Sequence, residues 1–143
     1  MRGSCLCGEV EFELTGNPTK IYQCHCSLCR KQGGSSSNSS ILAKGKNFRW
    51  ISGQDKISSY VKPTGFRSDF CSRCGSPVPN PLRTTSYYWV PAGLLDDDAS
   101  LEVAVHLYVG SKASWDAISS GVPRYEAMPE VSEFFELMHT RSS

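Results

Sequence analysis

Nowhere in this chain of 143 residues do eighteen apolar residues run together, which excludes an ordinary membrane-spanning helix. The N-terminus, Met1-Arg2-Gly3-Ser4-Cys5, leads into an alternating stretch instead of an apolar core, so no secretory leader is read there. An excess of either charge is missing as well: 15 basic and 14 acidic residues leave a net charge of +1. Without a basic run the chain has no overall attraction for nucleic acid or an anionic membrane, and neither is expected as a partner. Internal repeats and linkers are absent too. The expectation is one cytoplasmic domain over residues 1–143.

What is there is mostly strand pattern. Val10, Phe12 and Leu14 alternate with Glu9, Glu11 and Glu13, the period of a strand with one wet face. Gly16-Asn17-Pro18 turns the chain, and Lys20–Gln23 reads as the returning strand of a hairpin. Further strands are expected at Ser40–Ala43, Phe48–Ser52, Ile57–Val61, Phe66–Phe70, Tyr87–Ala92 and Leu101–Val109, divided by Gly, Pro and Asp punctuation. The class is mainly β. A helical turn or two is expected over Lys112–Ser119. Pro129–His139 predicts a short C-terminal helix with Val131, Phe134, Phe135 and Met138 on a docked apolar face. Gly33–Ser40 reads as a flexible loop beside the central cysteines.

Seven cysteines need a reason. Disulfides are disfavoured in a reducing interior, and an odd number cannot pair off within one chain. Cysteine also serves as a small buried hydrophobe, but such residues should scatter. These cluster at Cys5/Cys7, Cys24/Cys26/Cys29 and Cys71/Cys74. In Cys71-Ser72-Arg73-Cys74-Gly75 a C-x-x-C turn can place two thiolates on one metal, and Gly75 can take the positive φ that turns the chain away. Cys5-Leu6-Cys7-Gly8 does the same in tighter form, since residues i and i+2 share a face of extended chain. Two such pairs make the four-thiolate set that structural zinc prefers.

Cys24-His25-Cys26-Ser27-Leu28-Cys29 differs, with three cysteines in six residues. One metal holding all three keeps an open fourth position, the mark of a catalytic site. A triplet that shares ligands with either pair, leaving one thiol free, satisfies the spacing as well. In extended chain His25 points away from Cys24 and Cys26, a non-ligand arrangement. His106 and His139 stand alone in the sequence and read as ordinary histidines. Three thiolates give much charge to a zinc, so it acidifies water poorly and suits an incoming thiol better. A zinc deaminase would need a Glu beside its first ligand and P-C-x-x-C for the others. Cys7-Gly8-Glu9 imitates the first half, but Phe70 precedes Cys71 and Glu9 lies on a strand's wet face, so that reading is rejected.

The ordered motifs Cys5–Gly8, Cys24–Arg30, Phe70–Pro77 and Ala92–Asp96, with a closing segment His106–Ile118, resemble the glutathione-dependent formaldehyde-activating enzymes and their centromere protein V relatives. The resemblance covers residues 3 to 118 and leaves 119–143 as a helical extension. Gly33–Ser40 and Pro79-Asn80-Pro81 depart from the pattern. The resemblance implies a β-tent fold of antiparallel sheets over zinc. It implies two zincs per chain: a structural one on Cys5, Cys7, Cys71 and Cys74, and a second, labile one on Cys24, Cys26 and Cys29. It further implies a carbon–sulfur lyase acting on adducts of a glutathione-like thiol with a small aldehyde such as formaldehyde. Arg30, Lys31 and Arg73 are candidate cations for a substrate carboxylate. The alternative is a zinc-stabilised module that binds a protein or nucleic-acid partner without catalysis.

Overall fold

The alternation of Val10, Phe12 and Leu14 becomes a strand with one buried face: the three are at most 1% exposed, while Glu9, Glu11 and Glu13 are half-buried. The computed structural model describes residues 1–97, 100–119 and 121–139. Over these the chain is mainly β. The strands are β1 Arg2–Ser4, β2 Glu11–Leu14, β3 Lys20–Cys24, β4 Asn38–Lys44, β5 Phe48–Ser52, β6 Ile57–Val61, β7 Arg67–Cys71, β8 Asn80–Pro81, β9 Tyr87–Pro91 and β10 Glu102–Leu107. The helices are α1 Ser27–Gly33 and α2 Val131–His139. None is long and apolar enough to cross a membrane.

The described residues gather into two compact units, one from Met1–Pro18 and Leu42–Ala99, the other from Thr19–Ile41 and Ser100–Ser143. In the first, β2 lies antiparallel between β1 and β5, pairing Phe12 with Gly3 on one side and Trp50 on the other. Gly3 is required there, since a Cβ would come within 2.4 Å of the Phe12 ring. The Phe48 ring stacks on Phe12 at 5.7 Å and on Tyr88 at 4.1 Å, and Trp50 meets Phe48 edge-on at 4.8 Å. Rings of this size supply much of the buried apolar area. β6 and β7 form an antiparallel ribbon with Ile57 opposite Cys71, and β8 pairs with β9. Cys5, Val10, Cys71 and Val78 form a buried cluster against which Trp50, Ile57 and Cys74 pack.

In the second unit β3 runs parallel to β10, with Cys24 opposite Leu107 and Gln23 opposite His106, and antiparallel to β4. The expected hairpin of β2 with β3 is therefore not formed. Three residues of turn chemistry permit a hairpin but do not compel one, and each strand finds more complete pairing elsewhere. The α2 helix lays Phe134 edge-on against Tyr22, with centroids 5.1 Å apart, and buries Met138. Val131 is 61% exposed and does not belong to that face.

Two further expectations are corrected. Gly33–Ser40 is not a loop throughout. Gly33 ends α1, Gly34 caps it in the left-handed region with its N–H on the Arg30 carbonyl, and Asn38–Ser40 begin β4. Lys112–Ser119 is not helical. The short helical turn falls earlier, at Val109–Ser111, where the Val109 and Gly110 amides are taken by the carbonyls of Tyr125 and Glu126. Sequence reading also missed β1, β8 and α1, all too short for a periodic signal.

Gly53 joins β5 to β6 at φ +81°, and a Cβ there would lie 2.1 Å from the Glu9 carbonyl oxygen. A Cβ on Gly93 would meet nothing within 4 Å. Gly53→Ala is expected to destabilise by roughly 3 kcal/mol, while Gly93→Ala stays within about 0.5 kcal/mol. Urea unfolding followed by circular dichroism checks both, and an unchanged midpoint for Gly53→Ala would refute the close approach.

Candidate metal centres

Two loops of the first unit carry the first cysteine set, and each is closed in the same way. The Gly8 N–H donates to the Cys5 carbonyl at 3.1 Å and the Gly75 N–H to the Cys71 carbonyl at 2.8 Å. Both glycines have φ above +80°, so each loop folds back and presents its two sulfurs on one side. The sulfurs of Cys5, Cys7, Cys71 and Cys74 lie within 4.8 Å of one another. Cys5–Cys7 is 3.6 Å and Cys7–Cys71 is 3.8 Å. Four thiolates around a zinc at about 2.3 Å span tetrahedral edges of ~3.8 Å. The donor set fits that ion in number, element and spacing.

Polar partners tune this set. The Val10 N–H donates to the Cys5 sulfur at 3.3 Å. The Ser76 hydroxyl accepts the Leu6 N–H at 3.0 Å and lies 3.4 Å from the Cys74 sulfur. The Ser76 hydroxyl and then its amide lower the Cys74 thiol to about 5. At Cys7 the Glu9 amide pulls down, but desolvation and the neighbouring thiols outweigh it and raise the group to about 11. So close a group cannot ionise fully on its own, because each new thiolate repels the others. A cation at the centre removes that penalty. Arg73, a candidate substrate cation, instead pairs with Glu9 at 3.1 Å.

The second set stands where β3 passes into α1. Cys24 is the last residue of β3 and is buried; Cys26 is the N-cap of α1; Cys29 lies in its first turn. The Cys26 sulfur accepts the Cys29 N–H at 3.3 Å, a thiolate doing the work of a capping serine. The three sulfurs also lie within 4.8 Å of one another. Hydrogen bonds from the Cys24 and Cys29 thiols, then the Cys29 and Leu28 amides, lower Cys26 to about 2. Donating to Cys26 raises Cys24 to about 11, and hydrogen bonds to Cys24 and then to Cys26 carry Cys29 up. The neighbouring thiols and the helix amides together thus favour negative charge on Cys26. Arg30 has a buried Nε with no hydrogen-bond partner, and Lys31 is exposed.

His25 is 2% exposed, with Nδ1 3.2 Å from Asp116 Oδ2 and Nε2 3.0 Å from His106 Nδ1. Both ring nitrogens are engaged away from the sulfurs. His106 does not stand alone, contrary to expectation; burial and then the neighbouring His25 hold it below the ordinary histidine range. The side chain of His139 lies outside the described residues. Asp116, His106 and Ser76 were given no role from sequence. Their signal was the closing Trp115-Asp116 pair and the serine after Gly75, and neither declares a partner without the fold.

Against known proteins, a family model described as glutathione-dependent formaldehyde-activating enzyme matches residues 1–111. A curated Halomonas elongata protein named "Putative glutathione-dependent formaldehyde-activating enzyme" is 29% identical over 128 residues, covering 84% of this chain and 82% of that protein. The crystal structure of a Rhodobacter sphaeroides protein superposes with a TM-score of 0.58 at 22% identity, covering 87% of this chain and all of that one, a likeness of fold.

The two sets should separate by mutation. Cys71→Ser is expected to cost most of the folded state, because a closed site contributes folding free energy directly. Cys26→Ser should keep the far-ultraviolet circular dichroism of the parent and lose one metal per chain. Metal analysis beside the spectra checks this, and equal loss of structure in both variants would overturn the division.

Proposed function

The chain belongs to the family of glutathione-dependent formaldehyde-activating enzymes, and from that premise we propose that it is a zinc-dependent carbon–sulfur lyase. Its substrates are adducts of a glutathione-like thiol with formaldehyde or a similarly small aldehyde. The reaction is redox-neutral. In the forming direction the thiol sulfur bonds to the carbonyl carbon, the C=O π pair moves to oxygen, and the S–H proton ends there; the lyase direction reverses each change. Two zincs per chain are proposed, on Cys5, Cys7, Cys71 and Cys74 and on Cys24, Cys26 and Cys29.

The observation that carries this reading is a donor set that stops at three among the described residues. Cys24, Cys26 and Cys29 converge, while the one histidine between them has both nitrogens bonded elsewhere. Bound there, zinc supplies a soft fourth position that suits a thiol held as thiolate. The chain contributes the rest. The Cys29 and Leu28 amides stabilise negative charge on Cys26, and burial of Cys24 limits competing water. Arg30, one residue beyond Cys29, offers a guanidinium whose Nε lacks a protein partner, suited to a carboxylate of the thiol substrate. In the first set all four positions belong to the protein, which makes it a structural site. Residues 1–143 are taken as a single zinc domain whose family-like part spans 3–118 and whose helical extension is 119–143, and seven free thiols suit the cytoplasm.

Glutathione is expected to bind only protein carrying the second zinc, as measured by calorimetry. Exchange between free formaldehyde and its glutathione adduct, followed by NMR, should quicken at least about tenfold over equal zinc and thiol without protein, a barrier lower by about 1.4 kcal/mol. Cys29→Ser should abolish both effects. Absence of thiol binding to the two-zinc protein would reject the lyase and favour the binding module.

A further inference from the structure

A single residue separates the last residue of β3 from the N-cap of α1. That residue is His25, and its backbone fixes the direction in which the Cys24 and Cys26 sulfurs leave the chain. Its N–H donates to the Leu107 carbonyl at 2.9 Å, carrying the pairing with β10 one step past Cys24. Its ring is held at both nitrogens, by Asp116 Oδ2 at 3.2 Å and His106 Nδ1 at 3.0 Å. An Asp oxygen facing Nδ1 accepts, so Nδ1–H donates, and one proton then lies between His25 Nε2 and His106 Nδ1. The two partners are themselves tied down. The His106 N–H bonds the Pro123 carbonyl at 2.9 Å and its carbonyl accepts from Tyr125 at 3.0 Å. The Asp116 N–H bonds Ala113 at 3.0 Å, and its carbonyl accepts from Lys112 Nζ at 2.9 Å.

We propose that His25, Asp116 and His106 form the positioning network of the three-cysteine site, holding the strand-to-helix step in the one conformation that converges its sulfurs. The inference rests on the reading of Cys24, Cys26 and Cys29 as an open metal site, and it goes beyond that reading by assigning a role to three residues outside the ligand set. The physical reason is a scarcity of alternatives. His25 and His106 are 2% and 4% exposed, so rotating the His25 ring would strand buried polar groups without partners. Residues i and i+2 of extended chain share a face and the residue between them takes the other. Fastening His25 on its own side therefore fixes Cys24 and Cys26 on theirs. The anchors come from β10 and from the turn ending at Asp116, so the site's geometry is set by contacts distant in sequence.

Cobalt(II) titrated into protein already carrying one zinc tests this, because its charge-transfer and d–d bands report both affinity and ligand geometry. Asp116→Ala is expected to weaken cobalt at the three-cysteine site roughly 10- to 100-fold and to alter the d–d bands, with circular dichroism and the first metal unchanged. Asp116→Asn keeps an acceptor oxygen and should recover most of the affinity. His25→Ala should weaken cobalt by a similar factor, and the double variant should fall short of the product of the two, as members of one network do. His106→Gln opens the network from β10 and is read in the same way should Asp116→Ala not fold. A merely structural role would lower the unfolding midpoint and leave cobalt affinity and spectrum alone, which overturns the proposal. If the parent protein itself takes up no second metal, the open-site reading fails and the network falls with it. If the parent binds cobalt and the folded variants bind it identically, the network alone is refuted.

Discussion

Thiolates repel one another, and the first unit has four of their parent groups within 4.8 Å. Two of them, Cys5 and Cys71, are 4% and 0% exposed and share a cluster with Val10 and Val78. An arrangement of that kind costs free energy as bare anions and wastes close contacts as neutral thiols. A divalent cation would resolve the conflict, and much of the first unit is arranged as a site that could accommodate one. The glycines that close both loops, the Val10 amide on the Cys5 sulfur and the Ser76 hydroxyl between the loops all serve the same four atoms. Trp50 and Ile57 then pack against them as they would against an aliphatic core.

The same residue type is put to a different use at the start of α1. There the sulfurs number three, and the extra stabilisation of charge comes from helix amides and S–H donors on Cys26. A thiolate at an N-cap is favoured by the unsatisfied N–H groups of the first turn. The two sets thus differ in count and support rather than in ligand chemistry. His25 illustrates it. Placed between two cysteines, it would complete a four-donor set if its ring turned toward them, but Asp116 and His106 hold both nitrogens.

Short-range spacing was legible in the sequence because backbone geometry alone fixes it. The alternation of Val10, Phe12 and Leu14 predicted their burial, and the bounds of β5 and β6 emerged as read, since flanking Gly and Lys residues punctuate them. The cysteine sets that converge are the ones that C-x-C-G, C-x-x-C-G and the triplet suggested, because such turns leave few ways to direct a sulfur. The mainly β class was read from the same alternation and its Gly, Pro and Asp punctuation, and the motifs from Cys5 to Ile118 carried the family.

Pairings across long separations were not legible. His25 and His106 are 81 residues apart, and they meet only because β3 runs parallel to β10, where local signals read as an antiparallel hairpin with β2. The glycines at 33 and 34 look the same in a loop and in a helix cap; the difference is whether Arg30 offers a carbonyl to close on. Val131 matches the helical period of Phe134 and Met138, yet it points to water, because a one-turn apolar match does not say where the packing surface ends. The sequence by itself determined which cysteines gather into sets that could hold a metal and which face of the first long alternation is dry, since those depend on side-chain type and on a period of two. Only the tertiary structure decided what anchors the three-cysteine site, because that depends on which strands pair, a choice made by the free energy of the whole chain.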